Sequence, residues 1–294
     1  MPGTADTLTQ DRQRLELSAL SAPAVVFTIG MIAFPLAYTV WLSFQSFSST
    51  GKQSFAGLAN YAKLVTDNEF WHGLWVTIAL YVLSLVLQLV LGIWLALVLF
   101  HAKRLPGIVR SLFISPFMMP PVVAGMMWLV ILDPSLGAAN YILTSLGLPP
   151  SDWLASPTWV IPTALIDTWQ WTPYVALIVL GGLQSLPPSV YEAAQIDGAS
   201  ALKTFQRITL PLLLPTIVTA TILRSVDLLR FFDIIYITTQ GGPGNASNTL
   251  NIYGFRVGFE FFNIGYASAL MLTLTAIVFG VVLAFNRLRG AVAW

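Results

Sequence analysis

Six long apolar stretches, separated by short polar segments, limit what this chain can fold into. A helix needs about 20 mostly apolar residues to cross the hydrocarbon core of a bilayer, and each stretch is long enough. Charged residues make up only 9% of the 294 residues, whereas a soluble domain carries about a quarter. The sequence therefore predicts an all-α polytopic membrane protein that forms one transmembrane domain over residues 1–294. Its six predicted spans cover residues 19–44, 72–100, 109–132, 158–183, 212–240 and 263–286.

The residue types that usually carry metal sites and catalysis are scarce. The chain has no cysteine, which excludes disulfides and thiolate metal sites. Its two histidines, His72 and His101, lie next to opposite ends of one span, and neither has a neighbour that would complete a catalytic pair. The formal charge of +1 gives no indication of a nucleic-acid partner. We expect no metal, no cofactor bound by this chain, no catalytic residue, and no partner beyond proteins, solute and membrane lipid.

Positive charges predict which way the chain faces. The first span follows a polar tail whose mixed charges do not fit a cleaved signal peptide, so we interpret it as retained. Lysine and arginine gather on the cytoplasmic side of membrane proteins. The predicted orientation makes both termini and the loop at residues 184–211 cytoplasmic. The inner set is then Arg12, Arg14, Lys103, Arg104, Arg110, Lys203, Arg207, Arg287 and Arg289, and the outer set is Lys52, Lys63 and Arg256.

This loop interrupts the apolar chain with a charged, regularly punctuated segment. Ser189 followed three residues later by Glu192 is a capping box, which predicts the start of a short helix. Gly198 suits the left-handed position that ends a helix. Ser200 can cap a second short helix, and Pro211 marks the start of the fifth span. Two short helices joined at a glycine are therefore expected, and from these features alone an ordinary amphipathic connector is the simpler interpretation.

In the loop, Glu192-Ala193-Ala194 is followed after three residues by Gly198, after nine more by Ile208, and after one more by Leu210-Pro211. This spacing resembles the EAA loop of ABC importer permeases. Small alanines let a partner surface approach closely, and the glycine sets the angle between the two helices. The resemblance implies that a short helix of the loop docks in a groove of a nucleotide-binding subunit. The positions concerned are Glu192, Ala193, Ala194, Asp197, Gly198, Ile208, Leu210 and Pro211.

Other segments extend the resemblance to sugar-importer permeases of the maltose type, with the type I importer fold and its alternating access. The resemblance implies a second permease subunit in a heterodimer, two ATP-binding subunits, an extracytoplasmic solute-binding protein and a location in the bacterial inner membrane. No lysine lies in a G-x-x-x-x-G-K-[ST] loop, so ATP–Mg would be used by a partner and this chain is not expected to be an enzyme. The matching segments are residues 34–44, 55–64, 120–140, 232–250 and 265–269.

Ionisable residues within predicted spans mark a candidate pathway for the solute, because they are costly in lipid. Two helix faces, defined by spacings of three, four and seven residues, lie at comparable depth in spans four and five. Aromatic rings there would contact pyranose faces, and polar groups would bind hydroxyls. The first face carries Asp167, Gln170, Trp171 and Tyr174, and the second carries Arg224, Asp227, Leu228 and Phe231.

A structural interpretation of the same charges stays open. Arg224, Asp227, Arg230 and Asp233 alternate in sign every three residues, so neighbours can pair along one helix. Each step also turns the series by about 60°, so one face of a continuous helix cannot hold all four. We therefore expect Arg224 and Asp227 to border the pathway, and Arg230 and Asp233 to be structural or to contact the companion permease.

Several functions compete at this stage. The main hypothesis is a permease for an oligosaccharide or disaccharide, with a glycerol phosphate or polyol as other possible cargo. An ion-coupled secondary transporter could use Asp167 and Asp227, but its spans would show an internal repeat, and none is visible. An intramembrane enzyme would need a catalytic pair, and the sequence offers none.

Overall fold

The fold was analysed in a computed structural model that describes residues 4–47, 53–102, 106–155 and 159–292, with side chains from residue 20 to residue 290. Parts of the sequence predictions fall outside this range. They concern the positive charges Lys52, Lys103 and Arg104, the side chains of Arg12 and Arg14, and residue 158 at the start of the predicted fourth span.

Helices make up most of the described chain. A two-stranded antiparallel ribbon of β1 (Gln45–Phe47) and β2 (Gln53–Phe55) follows the first helix. The helices are α1 (Thr4–Ser43), α2 (Ala59–Thr66), α3 (Asn68–His101), α4 (Gly107–Ile114), α5 (Pro121–Ile131), α6 (Ala138–Ser145), α7 (Val160–Ser185), α8 (Pro188–Ile196), α9 (Ala201–Thr204), α10 (Leu210–Leu228), α11 (Asp233–Thr238), α12 (Leu250–Phe255) and α13 (Ile264–Val292).

Up to six helical segments of the described chain are long and apolar enough to cross a membrane. Two more segments join the four long helices if each bent pair counts as one span. The four long helical stretches are Leu20–Ser43, Asn68–His101, Ala201–Thr238, which comprises α9, α10 and α11, and Ile264–Gly290. The bent pairs are Gly107–Met118 with Pro121–Ile131 and Val160–Ser185 with Pro188–Ile196. The predicted all-α polytopic class is confirmed, while the residues at which each span enters and leaves the bilayer stay predictions.

Two of the predicted spans are broken. The third bends by 98° where Met119 takes an extended conformation before Pro120 and Pro121, which lack N–H groups and so interrupt the helical hydrogen bonds. In the fifth, α10 ends at Leu228, and the chain unwinds until α11 begins at Asp233. The sequence did not predict this second break, and it changes which way the residues beyond it face.

The packed centre of the bundle lies between α3, α7 and α10. A methyl group at Gly92 of α3 would lie 2.6 Å from Val175 Cγ1 of α7, and one at Gly182 would lie 2.7 Å from Thr216 Oγ1 of α10. Glycine at these two places lets the helices approach closely. Elsewhere along the same three helices, Gln88 of α3, Asp167 of α7 and Arg224 of α10 meet.

The loop that joins α7 to α10 departs from prediction in two respects. Helix α8 begins at Pro188 after Pro187, and no side chain caps it, so the predicted Ser189 capping box is wrong. Proline at the first helical position needs no N–H partner, which moves the start one residue earlier. The second loop helix is not separate either, because α9 runs through a π turn over Phe205–Thr209 into α10. This wider turn ends two residues before Pro211, the first proline of α10, which has no N–H to donate.

Two other loop predictions are confirmed. Gly198 has φ +68°, in the left-handed region that favours glycine. The hydroxyl of Ser200 accepts a hydrogen bond from the backbone N–H of Lys203 at 3.4 Å and caps α9.

At the opposite end of the bundle, one carboxylate ties three helices together. Asp67, just before α3, accepts hydrogen bonds from the hydroxyls of Tyr253 in α12, at 2.6 Å, and of Tyr266 in α13. Burial raises the pKa of Asp67, but these hydroxyls and the backbone N–H groups of Glu69 and Phe70 outweigh it, so the pKa lies below its usual value. The carboxylate therefore stays ionised and fixes this end of α3.

Candidate functional site

A buried polar cluster joins three helices at the centre of the bundle. Gln88 of α3, Asp167 of α7 and Arg224 of α10 are each at most 1% exposed. Arg224 Nη2 lies 3.0 Å from Asp167 Oδ2, and its Nε donates to Gln88 Oε1 at 2.7 Å. Gln88 Nε2 in turn donates to Asp167 Oδ2 at 2.5 Å. The three side chains, which we call the central cluster, hold one another in place.

Arg224 also contacts Trp171 and Asp227. The guanidinium carbon lies 4.4 Å from the ring centroid of Trp171, a cation–π contact. Nη1 lies 3.6 Å from Asp227 Oδ2, one turn later on α10. Each of the three guanidinium nitrogens therefore has a protein partner. Arg224 is committed to holding α3, α7 and Trp171 in position rather than free to bind a solute.

A cavity of about 440 Å³ opens beside this cluster, and we call it the central cavity. It lies where α7 and α10 face the break before α11. Its walls combine aromatic rings with charged groups, a lining suited to a polar ligand that has apolar faces. The lining residues are Pro121, Asp167, Trp171, Arg224, Asp227, Arg230, Phe231, Phe232, Asp233 and Asn251.

Five of the eight residues predicted for the pathway line this cavity: Asp167, Trp171, Arg224, Asp227 and Phe231. The other three face elsewhere. Gln170 Nε2 donates to the carbonyl of Met119 at 2.8 Å, Tyr174 packs on Phe117 at 5.2 Å between ring centroids, and Leu228 is 2% exposed in the core.

Arg230 and Asp233 also line the cavity. The expectation that one face cannot hold both of them together with Arg224 and Asp227 is wrong. That argument assumed a continuous helix, whereas α10 ends at Leu228. The unwound residues and the new start at Asp233 turn both side chains back toward the same space.

The charges that reach the cavity sum to a small negative value. Asp167 and Arg224 neutralise each other in the wall. Asp227 is 44% exposed, and Arg230, 59% exposed, lies 3.9 Å from it. Asp233 is exposed and forms no ion pair within the described residues. The exposed charges that line the central cavity are thus the carboxylates of Asp227 and Asp233 and the guanidinium of Arg230.

Sequence reasoning missed Gln88 and Asn251. Gln88 is a lone amide in the middle of the apolar stretch 72–100, and that isolation was the available signal. Asn251 lies in α12 outside every predicted span, and its Nδ2 donates to the carbonyl of Arg230 at 2.7 Å. No local pattern connects it to the cavity.

The loop over residues 184–211 presents a surface that no other described residue covers. Ala194 is buried, whereas Glu192, Ala193, Asp197 and Gly198 are exposed. The apolar side chains of Ile196 and Leu202 are 86% and 65% exposed. The remaining loop positions, Ile208, Leu210 and Pro211, are half-buried at the junction with α10.

The charges of the loop are also unpaired. Glu192, Asp197, Lys203 and Arg207 form no ion pair with any residue that the structure describes. Behind α8, a cavity of about 390 Å³ separates the loop from the ends of α3 and α7. This arrangement suits a docking element that contacts another subunit.

Comparison with known proteins agrees with this arrangement. Residues 88–292 match the family of inner membrane components of binding-protein-dependent transport systems. The chain belongs to this family, and it is therefore a multi-pass membrane component of a transport system.

Individual relatives cover nearly the whole chain. The trehalose/maltose transport system permease protein MalF of Thermococcus litoralis is 36% identical over 83% of this chain and 82% of its own length. The sulfoquinovosyl glycerol transport system permease protein SmoG of Agrobacterium fabrum is 34% identical over 94% and 90%.

A solved structure shows the same fold. It is a bacterial ABC transporter involved in the import of the acidic polysaccharide alginate, and one of its chains superposes with a TM-score of 0.83. The match covers 98% of this chain and all of that chain at 22% identity. The predicted type I importer fold is confirmed.

Proposed function

We propose that this chain is the permease subunit of an ATP-driven ABC importer and that its central cavity passes an uncharged sugar. The observation that carries the proposal is the lining of that cavity. The Trp171 ring, held by Arg224, offers an apolar platform for a pyranose face. The exposed carboxylates Asp227 and Asp233 can each accept hydrogen bonds from sugar hydroxyls, and the guanidinium of Arg230 can donate hydrogen bonds to the same hydroxyls. Relatives whose names include trehalose and maltose support this cargo class.

The proposal includes the partners of such an importer. A companion permease would complete the pathway in a heterodimer, and an extracytoplasmic binding protein would deliver the sugar. One of two ATP-binding subunits would dock on the exposed loop helix α8 of this chain, the other would dock on the companion permease, and both would use ATP–Mg. The loop and both termini would then lie in the cytoplasm. The exposed Ile196 and Leu202 support this docking, because apolar side chains without partners at a surface mark interaction sites. Alternating access would then open the cavity to one side at a time.

An anionic cargo, such as a glycerol phosphate, is the second candidate. SmoG is named for sulfoquinovosyl glycerol, and the alginate importer is described as carrying an acidic polysaccharide. The lining of the central cavity is unfavourable for such a cargo. Arg230, its exposed arginine, lies 3.9 Å from Asp227, and Asp233 adds a second exposed carboxylate to the same lining. A phosphate or sulfonate would meet more negative than positive charge.

Ion-coupled transport without ATP is a third candidate. Asp167 would be the natural proton carrier, but it is 0% exposed and held by Arg224 and Gln88. A carboxylate fixed in this way cannot exchange protons during each transport cycle without breaking the central cluster.

The test is reconstitution of the complete assembly in lipid discs, purified through a tag on this subunit. ATPase activity is measured with the binding protein and a panel of neutral, acidic and cationic sugars. Stimulation by a neutral sugar is expected. Stimulation by acidic sugars alone would overturn the cargo class, and a preparation that transports solute down an ion gradient without any ATPase subunit would overturn the importer.

Substitution of a residue that lines the central cavity tests whether the sugar passes through it. Trp171→Ala is expected to reduce sugar-stimulated ATPase activity while the assembly stays intact. Trp169→Ala is the matched control, because Trp169 lies on the same helix but packs on Trp128 at 5.6 Å, away from the central cavity. Equal activity of the two variants would remove Trp171 from the pathway.

A further inference from the structure

A second, larger cavity adjoins the central cavity and shares part of its wall. This groove has a volume of about 720 Å³ and lies between α1, α12 and the start of α13. Phe232 and Asn251 line both spaces. The groove therefore continues the central cavity toward the end of the bundle opposite the loop.

Aromatic rings form a continuous surface along this route. The ring of Phe232 lies 5.1 Å from that of Tyr236 and 5.3 Å from that of Phe255. Phe255 stacks on Phe259 with centroids 5.2 Å apart, and Phe262 completes the lining of the groove. Phe259 and Phe262 are 72% and 73% exposed. Such a row offers repeated apolar platforms of the kind that Trp171 offers in the central cavity.

Two polar groups with unused hydrogen-bonding capacity accompany the rings. Ser268 of α13 lines the groove and is 7% exposed, yet its hydroxyl forms no hydrogen bond with any described residue. Other hydroxyls of the same helix, such as that of Thr273, bond to the carbonyl four residues earlier. Asn251 uses its Nδ2 on the carbonyl of Arg230, while its Oδ1 accepts no bond from the described part of the chain. Both groups line the groove and can therefore form hydrogen bonds with the hydroxyls of a ligand there.

We propose that this groove is a sugar subsite that binds further pyranose units of an oligosaccharide while its leading unit enters the central cavity. Alternating aromatic platforms and free hydrogen-bonding groups match the apolar faces and hydroxyl edges of successive sugar rings. A lipid chain would fill the apolar part but would leave the Ser268 hydroxyl and the Asn251 oxygen unpaired. The inference rests on the proposed function, because it takes the central cavity as the sugar pathway.

The experiment measures dependence on chain length. The complete assembly in lipid discs is tested for uptake and stimulated ATPase activity with maltose, maltotriose and maltopentaose as probes. Phe259→Ala removes an exposed platform and Ser268→Ala removes the free hydroxyl. Phe261→Ala is the matched control, because Phe261 is 69% exposed and two residues from Phe259 but does not line the groove.

The expected result is a loss that grows with the length of the sugar. Phe259→Ala should raise the KM for the longer probes about 3- to 10-fold, the effect of one aromatic contact, and change that for maltose less than about 2-fold. Phe261→Ala should leave all three values unchanged, and Ser268→Ala should follow Phe259→Ala.

The contrary outcomes separate the two proposals. Equal losses for every probe, with less companion permease co-purified, would show that the groove is a subunit contact and would overturn the subsite. A wild-type assembly that transports maltose but neither longer sugar would also overturn it, while the proposed function would stand. An assembly that transports no sugar at all would overturn both.

Discussion

The central cluster and the loop at residues 184–211 differ in whether their side chains have partners among the described residues. In the cluster, Arg224 is enclosed, and each of its nitrogens has a partner on a neighbouring side chain. On the loop, Ile196 is 86% exposed, and the charges of Glu192 and Asp197 have no ion-pair partner among the described residues. One region is complete within this chain, whereas the other has the unpaired surface expected of a docking element.

This difference indicates what each region contributes. Removing one member of a satisfied buried network leaves the others unpaired where water does not reach, which costs stability. Changing an exposed residue without partners leaves the fold almost unaffected. We therefore expect substitutions in the cluster to act on folding, and substitutions of exposed side chains on the loop to act on coupling to ATP hydrolysis.

Arg224→Ala should have the largest effect on stability. It leaves the Asp167 carboxylate buried without its cation, and breaking a buried ion pair costs about 3–5 kcal/mol. Thermal unfolding of the purified subunit in detergent measures the change. Arg230→Ala is the control, because this arginine is 59% exposed and should change the unfolding free energy by less than about 0.5 kcal/mol. Similar losses of unfolding free energy in the two variants would mean that the buried arginine of the cluster contributes no more to stability than an exposed arginine does.

A double replacement tests whether the cost comes from the unpaired charge. Arg224→Met combined with Asp167→Leu removes both charges and fills their space with apolar groups, which is often neutral for stability. It leaves the amide of Gln88 without these two partners, but an unpaired neutral amide costs less than an unpaired buried charge. The double variant should therefore unfold at a higher temperature than Arg224→Ala. If it unfolds at a lower temperature, the ion pair itself contributes stability beyond the avoidance of an unpaired charge.

Gln88→Leu should come next. The side chain is of similar size, but Arg224 Nε and Asp167 each lose a buried hydrogen bond, at a cost of about 1–3 kcal/mol. Thermal unfolding of the same preparation gives the value, and Ser84→Ala on the same helix is the control because the Ser84 hydroxyl has no partner in the described structure. An effect of Gln88→Leu no larger than that of the control would remove Gln88 from the cluster.

Gly198→Ala tests the backbone of the loop. Its φ of +68° costs a residue with a side chain about 1–2 kcal/mol. No atom lies within 4 Å of the position of the added methyl, so the penalty is conformational only. Gly181→Ala is the control, because that glycine lies within α7, has no positive φ and is equally open. Circular dichroism melts should show destabilisation for Gly198→Ala alone.

The same contrast explains which features of the structure could be predicted from the sequence. Parts of the loop, including the left-handed Gly198 and the Ser200 cap, were predictable because local rules and the EAA spacing act within a few residues. The cap at Ser189 was wrong because a proline at the helix start overrode it. In the cluster, the sequence indicated Asp167 and Arg224 but not the pairing between them. Gln88 lies 79 residues from Asp167, and no local rule connects residues at such a separation.

The smallest expected effect on stability belongs to Ile196→Asp, and this variant sharpens the contrast most. Ile196 is 86% exposed, so the unfolding free energy should change by less than about 0.5 kcal/mol. If α8 docks on an ATP-binding subunit, a carboxylate there would be buried against an apolar groove, which is unfavourable without a counter-charge. Sugar uptake should then fall, and less ATP-binding subunit should co-purify with the variant. Leu136→Asp is the matched control, because Leu136 is 93% exposed between α5 and α6, outside the loop. Normal uptake in Ile196→Asp would mean that the exposed surface of the loop does not dock, and that the contrast between the two regions concerns folding alone.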